Sequence, residues 1–303
     1  MIRTVLKDIS PESVRGAYMH EHLVIDSLIV RNKFPHIFLD DIGSAVTETQ
    51  ECLEFEINLF VDWMPGESGR NIDKLKEISR LSNVHIVSAT GMHNSKYYLP
   101  DSHYLSADRE FFHKIMIHEI NNLRCGIIKI HTTTAKPSLL EYELFAGAVQ
   151  AQKDTGVPIL THCEEGRGAL EQIELLNSLG ADLDRVVLSH TDKYPDRSYH
   201  NEILESGINV EYDQSLRQLT QESKQSLELT VDMCTAGYAS QIMLGTDGAR
   251  RTLWKSLGGS PGLAALGRDW RNLLEQSGLE SKVLHSLFVD NPRRFLSFKE
   301  SQV

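Results

Sequence analysis

Cysteine is scarce: Cys52, Cys125, Cys163 and Cys234 are the only four among 303 residues, with no CxxC pair and no regular spacing. A disulfide framework is therefore excluded, and reduced thiols in a cytoplasmic protein are the expected state. Long apolar runs are missing as well. No stretch approaches the ~20 apolar residues that cross a bilayer, and the opening MIRTVLKDISPESVRG lacks the apolar centre of a signal peptide. Positive charge is in deficit, with 31 Lys plus Arg against 42 Asp plus Glu and a net charge of −11. That balance argues against a nucleic-acid partner but leaves room for a local basic pocket that takes a small anion. No Pro/Gly/Ser-rich linker or low-complexity run divides the chain. With 41% hydrophobic and 24% charged residues, it reads as an ordinary globular protein, expected to form one domain over residues 1–303.

What is present is an alternation of runs rich in Val, Ile and Leu with longer amphipathic segments. The runs predict strands at 17–26, 58–63, 84–90, 126–131, 158–163, 185–191, 208–213 and 241–247. Such continuous apolar character suits strands buried on both faces. A helix is predicted at 71–81, where Asn71 caps and Ile72, Leu75, Ile78 and Leu81 share a face. Others are expected at 138–154, stopped by Gly156, and at 168–179, closed by Gly180. Segments 199–205, 221–235, 262–276, 279–288 and 291–296 complete the helical set. Eight strands, each usually followed by a helix, predict an α/β protein: a (β/α)8 TIM barrel with extra C-terminal helices. The rival is a doubly wound open sheet, whose GxGxxG fingerprint is missing after the first strand.

Histidine is in excess, at 13 residues, and several sit where strands should end. The first strand contains His20-Glu21-His22. Side chains alternate along a strand, so the two imidazoles share a face, roughly 7 Å apart, and can grip one cation. Alone, the pair could equally cap a strand by hydrogen bonding. Lys129 in IIKI, His162 at the end of ILTH, His190 at the end of VVLSH and Asp247 at the end of IMLGTD extend the pattern. Each also has an ordinary reading: a hydrogen-bonded histidine, a lysine that snorkels, an aspartate that makes a turn before Gly248. Their intervals are close to multiples of one strand–helix unit, which places them on strands 1, 4, 5, 6 and 8 and skips strand 7. In a barrel, those C-terminal strand ends meet at one mouth, and a metal site follows.

The order HxH, Lys, His, His, Asp, carried by MHEHLVID, GIIKIHTTT, TGVPILTHCEEG, VVLSHTD and LGTDGARR followed by WKSLGG, resembles the phosphotriesterase-like branch of the amidohydrolase superfamily over nearly the whole chain. The resemblance implies two divalent ions: one held by His20, His22 and Asp247, the other by His162 and His190. It also implies that Lys129, carbamylated by CO2, bridges them. Chemistry agrees, since an ammonium beside two dications is repelled, whereas a desolvated neutral amine takes up CO2 and becomes an anionic bridge. Zn2+ suits the donors, with Mn2+, Co2+ or Fe2+ as alternatives. The implied reaction is attack on an ester by a hydroxide generated at the ion pair, with Lys129 and Asp247 as catalytic residues and Asp247 acting as base, then acid. A homodimer would be unsurprising for this family.

Substrate choice rests on the mouth. Arg217, Arg250 and Arg251 follow strands 7 and 8, the usual phosphate-binding corner of a barrel, with Lys255, Lys193 and Arg197 nearby. Segments GRNIDKLKEISR, HIVSATGMHNSKYY, HTDKYPDRSYHNEILESG and GARRTLWKSLGG look most like the branch that opens phosphorylated sugar lactones. By that resemblance Arg217 and Arg250 would hold the phosphate, and His93, Tyr97 and Tyr98 would line the pocket. His131, where a small residue is expected, and Leu253, where an aromatic or polar contact is expected, depart from the pattern. Two other functions compete: a phosphotriesterase or carboxylesterase for neutral esters, and a catalytically silent binding protein on the same fold.

Overall fold

Ile2–Arg3 (β1) and Asp8–Ile9 (β2) form a short antiparallel ribbon in the computed structural model, which describes residues 1–298. Eight parallel strands follow: Ala17–Glu21 (β3), Leu59–Asp62 (β4), His85–Gly91 (β5), Ile127–Thr132 (β6), Ile159–Cys163 (β7), Val186–Ser189 (β8), Asn209–Tyr212 (β9) and Ile242–Leu244 (β10). They pair in chain order from β3 to β10. The ring closes where the N–H groups of Thr246 and Asp247 donate to the His20 carbonyl at 3.0 and 3.1 Å. This is the (β/α)8 barrel, and each predicted strand overlaps an observed one. Among the described residues, no helix is long and apolar enough to cross a membrane.

Alternation sorts the strand residues into two cores. Met19, Val61, Ala89, Ile127, Leu160, Val187 and Met243 fill the inside of the ring, where Ile2, Ile9, Phe295 and Leu296 join them. Tyr18, Phe60, Ile86, Ile128, Ile159, Leu188, Val210 and Leu244 face the surrounding helices. Burial on both faces is why the strands read as unbroken apolar runs.

The helices start where capping chemistry permits. Asn71 accepts from Lys74 N–H and opens Ile72–Ser82. Ser138 and Glu141 form a reciprocal capping box for Leu139–Thr155, which ends at Gly156. Helices at Leu28–Lys33, Ile42–Leu53 and Arg109–Asn122 were not anticipated. Their sequences are rich in β-branched or aromatic residues; Asp41 and Asp108 cap the longer two, and packing supplies the rest. The 262–276 segment opens with Gly262 at φ 87°, outside the helical region, and its first helical element is Leu266–Trp270. The final segments 279–288 and 291–296 do supply extra C-terminal helices, at Ser281–His285 and Asn291–Leu296.

Candidate active site

A cavity of about 710 Å3 opens at the C-terminal ends of β3 to β10. Its walls include His20, His22, Lys129, His162, His190 and Asp247, so all six predicted ligands reach one mouth. His20 gets there by an irregularity that simple alternation does not anticipate. Tyr18 pairs with Phe60 but Glu21 with Asp62, so β3 carries one extra residue. This bulge turns His20 inward directly after the inward Met19, against Trp63, whose ring stacks on the imidazole at 3.7 Å. Gly245 makes room for it: a Cβ there would lie 2.6 Å from His20 Cβ and 2.7 Å from its backbone nitrogen.

His20 Nε2 and His22 Nε2 face each other at 3.2 Å, and Asp247 Oδ1 lies 3.8 and 3.4 Å from them. Burial keeps His20 well below the usual imidazole range, so its ring is neutral. Burial also works against the Asp247 carboxylate, but Arg217 and His22 more than offset it and hold the group well below the usual range. Three lone-pair donors thus point at a shared volume, a set close enough to hold a metal ion. Nearby, the His162 and His190 rings are 4.4 Å apart between centroids. The Nδ1 atoms of His22 and His162 are buried without a hydrogen-bond partner among the described residues. His190 and Asp247 both lie beyond their strands, with φ of 63° and 43°. Lys129 is buried, its Nζ 5.0 Å over the Trp63 ring, and burial pushes it down to about 8.

The polar shell under these groups comes from β9, the seventh strand of the barrel, which carries none of the six predicted ligands. On β9, Glu211 Oε2 lies 3.3 Å from His20 Nδ1; just beyond it, Asp213 Oδ2 lies 3.3 Å from the same atom and 2.6 Å from His190 Nδ1. The alternation in NVEYD, with Glu211 and Asp213 two apart on the inward face, is the signal that could have revealed them. Glu164 is a second omission. Its Oε2 lies 2.9 Å from His162 Nε2, and that contact holds its carboxyl low, at about 2.

Of the predicted substrate contacts, Arg217, Arg250, His93 and Tyr97 line the cavity. His93 and Tyr97 stack at 4.8 Å, and Tyr97 meets Phe34 edge-on at 5.2 Å. Arg251 and Tyr98 are not brought to it. Arg251 donates to the Phe38 carbonyl at 2.9 Å, tying down the loop after β3. Tyr98 is buried, its hydroxyl accepting from His93 N–H at 3.1 Å, so it supports the wall from behind. Arg217 turns inward, donating to the Asp247 carboxylate at 2.9 Å and to the carbonyls of Thr246 and Asp247 at 3.1 and 2.7 Å. Lys193 and Lys96 reach the cavity, whereas Lys255 pairs with Glu51 and Arg197 with Asp232. His131 lies behind the wall, its Nδ1 3.3 Å from the Met92 carbonyl and Nε2 3.8 Å from Glu141. Leu253 is part of the outer core, as is Cys163.

A closed parallel barrel with a histidine-rich cluster at its C-terminal mouth has the anatomy of a barrel enzyme. The Phosphotriesterase family model matches residues 1–296, and the chain belongs to that family. A phospho-furanose lactonase of Mycoplasmopsis agalactiae is 27% identical, with 100% of this chain and 93% of the relative covered. An aryldialkylphosphatase of Saccharolobus solfataricus is 23% identical over 95% of this chain and 97% of its own. Among solved structures, an amidohydrolase from Mycoplasma synoviae superimposes with a TM-score of 0.93 at 25% identity, covering 99% and 93% of the two chains. A lactonase from Listeria monocytogenes gives a TM-score of 0.92 at 24% identity, covering 99% of each.

Proposed function

We propose that this chain is a metal-dependent hydrolase that opens a phosphorylated sugar lactone. Hydrolysis of an ester bond is the class of reaction named in its relatives, a lactonase and an aryldialkylphosphatase. The observation that carries the metal reading is the pair of facing imidazole nitrogens, His20 Nε2 and His22 Nε2, with the Asp247 oxygen beside them. Neutral rings and a carboxylate oxygen with open space around them fit a divalent cation better than they fit one another. His20, His22 and Asp247 would hold one ion, His162 and His190 the other, with Lys129 as a carbamate shared between them. Zn2+ is the first choice. Such ions supply Lewis acidity at the ester carbonyl and bring the pKa of a water toward ~7.

The chain's own groups do the rest. Asp247, its Oδ2 held by Arg217, takes the proton of the attacking water and returns it to the ring oxygen as the acyl C–O bond breaks. The product is the open hydroxy acid. Arg250 and Lys193 at the rim favour an anionic group distal to the carbonyl, and His93, Tyr97 and Phe34 present a flat wall to the sugar.

The test is a panel of phosphorylated and unphosphorylated lactones beside neutral aryl phosphotriesters and carboxylesters, assayed with the Zn2+-loaded protein. Preference for the phosphorylated lactones supports the reading. Faster turnover of the neutral esters replaces it with the neutral-ester hydrolase, and no turnover or metal uptake at all replaces it with the silent binding protein.

A further inference from the structure

The two histidine pairs are unequally equipped. His20 and His22 share an anionic oxygen from Asp247, while His162 and His190 are two neutral rings set at 81° to one another. Apart from the oxygen that a carbamate on Lys129 would share, a dication on these two imidazoles is short of both donors and negative charge. Asp247 has little to spare, because Oδ1 faces the first pair and Oδ2 accepts from Arg217. Asp213 meets His190 at Nδ1, the nitrogen that points into the shell beneath.

Glu164 is the carboxylate that meets this pair from the open side. Its Oε2 stands 2.9 Å from His162 Nε2, and it is the only polar partner of that ring among the described residues. The side chain is 39% exposed and lines the cavity. The backbone is bent to deliver it. After β7, Glu164–Gly166 makes one tight turn in which Glu165 takes φ 52°, a left-handed conformation that a residue with a side chain rarely adopts. At Gly166, a Cβ would lie 2.7 Å from Tyr194 N and 2.8 Å from the His190 carbonyl oxygen. The turn is pressed directly onto the loop that carries His190, so it fixes Glu164 relative to both histidines. The cationic groups that act on the carboxylate are Lys96 and Lys193, which also line the cavity.

We propose that Glu164 is a ligand of the second ion, its carboxylate passing from His162 to the cation as the ion enters. This rests on the metal-centre reading above. It gives the His162–His190 pair an anionic oxygen that does not depend on carbamylation of Lys129.

The experiment titrates the metal-stripped full chain with Zn2+ or Co2+ alone, following heat and, for Co2+, the visible spectrum. Wild type is compared with Glu164→Gln and Glu164→Ala, with melting temperature as the check on folding; a half-exposed side chain leaves the core intact. Wild type should take two ions. Both variants should keep the tighter ion at unchanged affinity and lose affinity for the weaker by more than the roughly 100-fold that an outer partner can already cost. The Co2+ band of that second ion should also shift. Two ions bound at wild-type affinities with unchanged spectra in both variants would overturn the proposal alone. Failure of wild type to bind any divalent ion would overturn the metal-centre reading and this proposal with it.

Discussion

Asp213 joins the two histidine pairs: one oxygen, Oδ2, stands 2.6 Å from His190 Nδ1 and 3.3 Å from His20 Nδ1. Burial alone would raise this carboxyl, but the two imidazoles more than offset it and hold the group well below the usual range. A permanent anion behind both rings fixes which nitrogen carries the proton and leaves Nε2 free on the cavity side.

Asp213→Asn should therefore weaken both ion sites together. The carboxamide is isosteric but neutral, and outer partners of ligating histidines are commonly worth about 10–100-fold in metal affinity. Calorimetric titration with Zn2+ checks it. Loss confined to one site would mean that the shared contact is not functional.

Arg217 and Arg250 look alike in sequence and differ in the fold. Both line the cavity, but Arg217 spends its donors on the Asp247 carboxylate and two carbonyls. Arg250→Gln should raise KM for a phosphorylated lactone by roughly 10–100-fold at nearly unchanged kcat, the equivalent of one charged hydrogen bond of about 1.5–3 kcal/mol. Arg217→Gln should instead lower kcat alike for phosphorylated and unphosphorylated lactones. A phosphate-selective KM effect at Arg217 would restore it as an anion anchor.

The barrel and the six-residue cluster were legible because they rest on two robust signals. Runs buried on both faces announce parallel strands, and polar residues that end such runs announce a mouth. What was not legible depended on contacts across the chain. The β3 bulge reaims His20 by one extra residue, which no alternation count reveals. Asp213 gives a weak signal because the seventh barrel strand carries no histidine, although the residue sits on the same inward face. Arg251 and Tyr98 read as pocket residues from their position in loops; the Phe38 carbonyl that holds Arg251 is 213 residues away, whereas the His93 N–H that holds Tyr98 lies in the same loop and turns the ring behind the wall.

Asp62 offers a pH test on the metal-stripped chain, since it holds the backbone directly after His22. Its carboxylate is fully buried and accepts from Leu23 N–H at 2.7 Å and Val24 N–H at 3.2 Å, holding the loop after β3. Burial pushes it up from 3.8 to about 6. A folded-state value above the unfolded one means that the native chain holds the proton longer. Stability from this group is thus full below about 4 and falls away as pH rises toward and through about 6. Asp62→Asn removes that dependence. Urea unfolding between pH 4 and pH 7 should show the variant gaining on wild type by up to the order of 3 kcal/mol. A difference that stays constant with pH would refute the assignment.

Lys129 separates a bridging role from simple packing. Its Nζ lies 5.0 Å over the Trp63 ring, deep in a site whose neighbours include neutral histidines and the Asp247 carboxylate. A lysine that merely filled space there would be replaced by methionine with little loss, since the apolar stem and ring contact persist. A carbamate bridge cannot be replaced in that way, because the lost group is an anionic oxygen between two cations. Lys129→Met and Lys129→Ala should both abolish lactone hydrolysis. In the alanine variant, where the stem is gone, short carboxylic acids should enter the space and restore part of the activity in a saturable, concentration-dependent way. Methionine leaves no such space, so its variant should not respond. Full activity in Lys129→Met would show that the amine is not part of the centre.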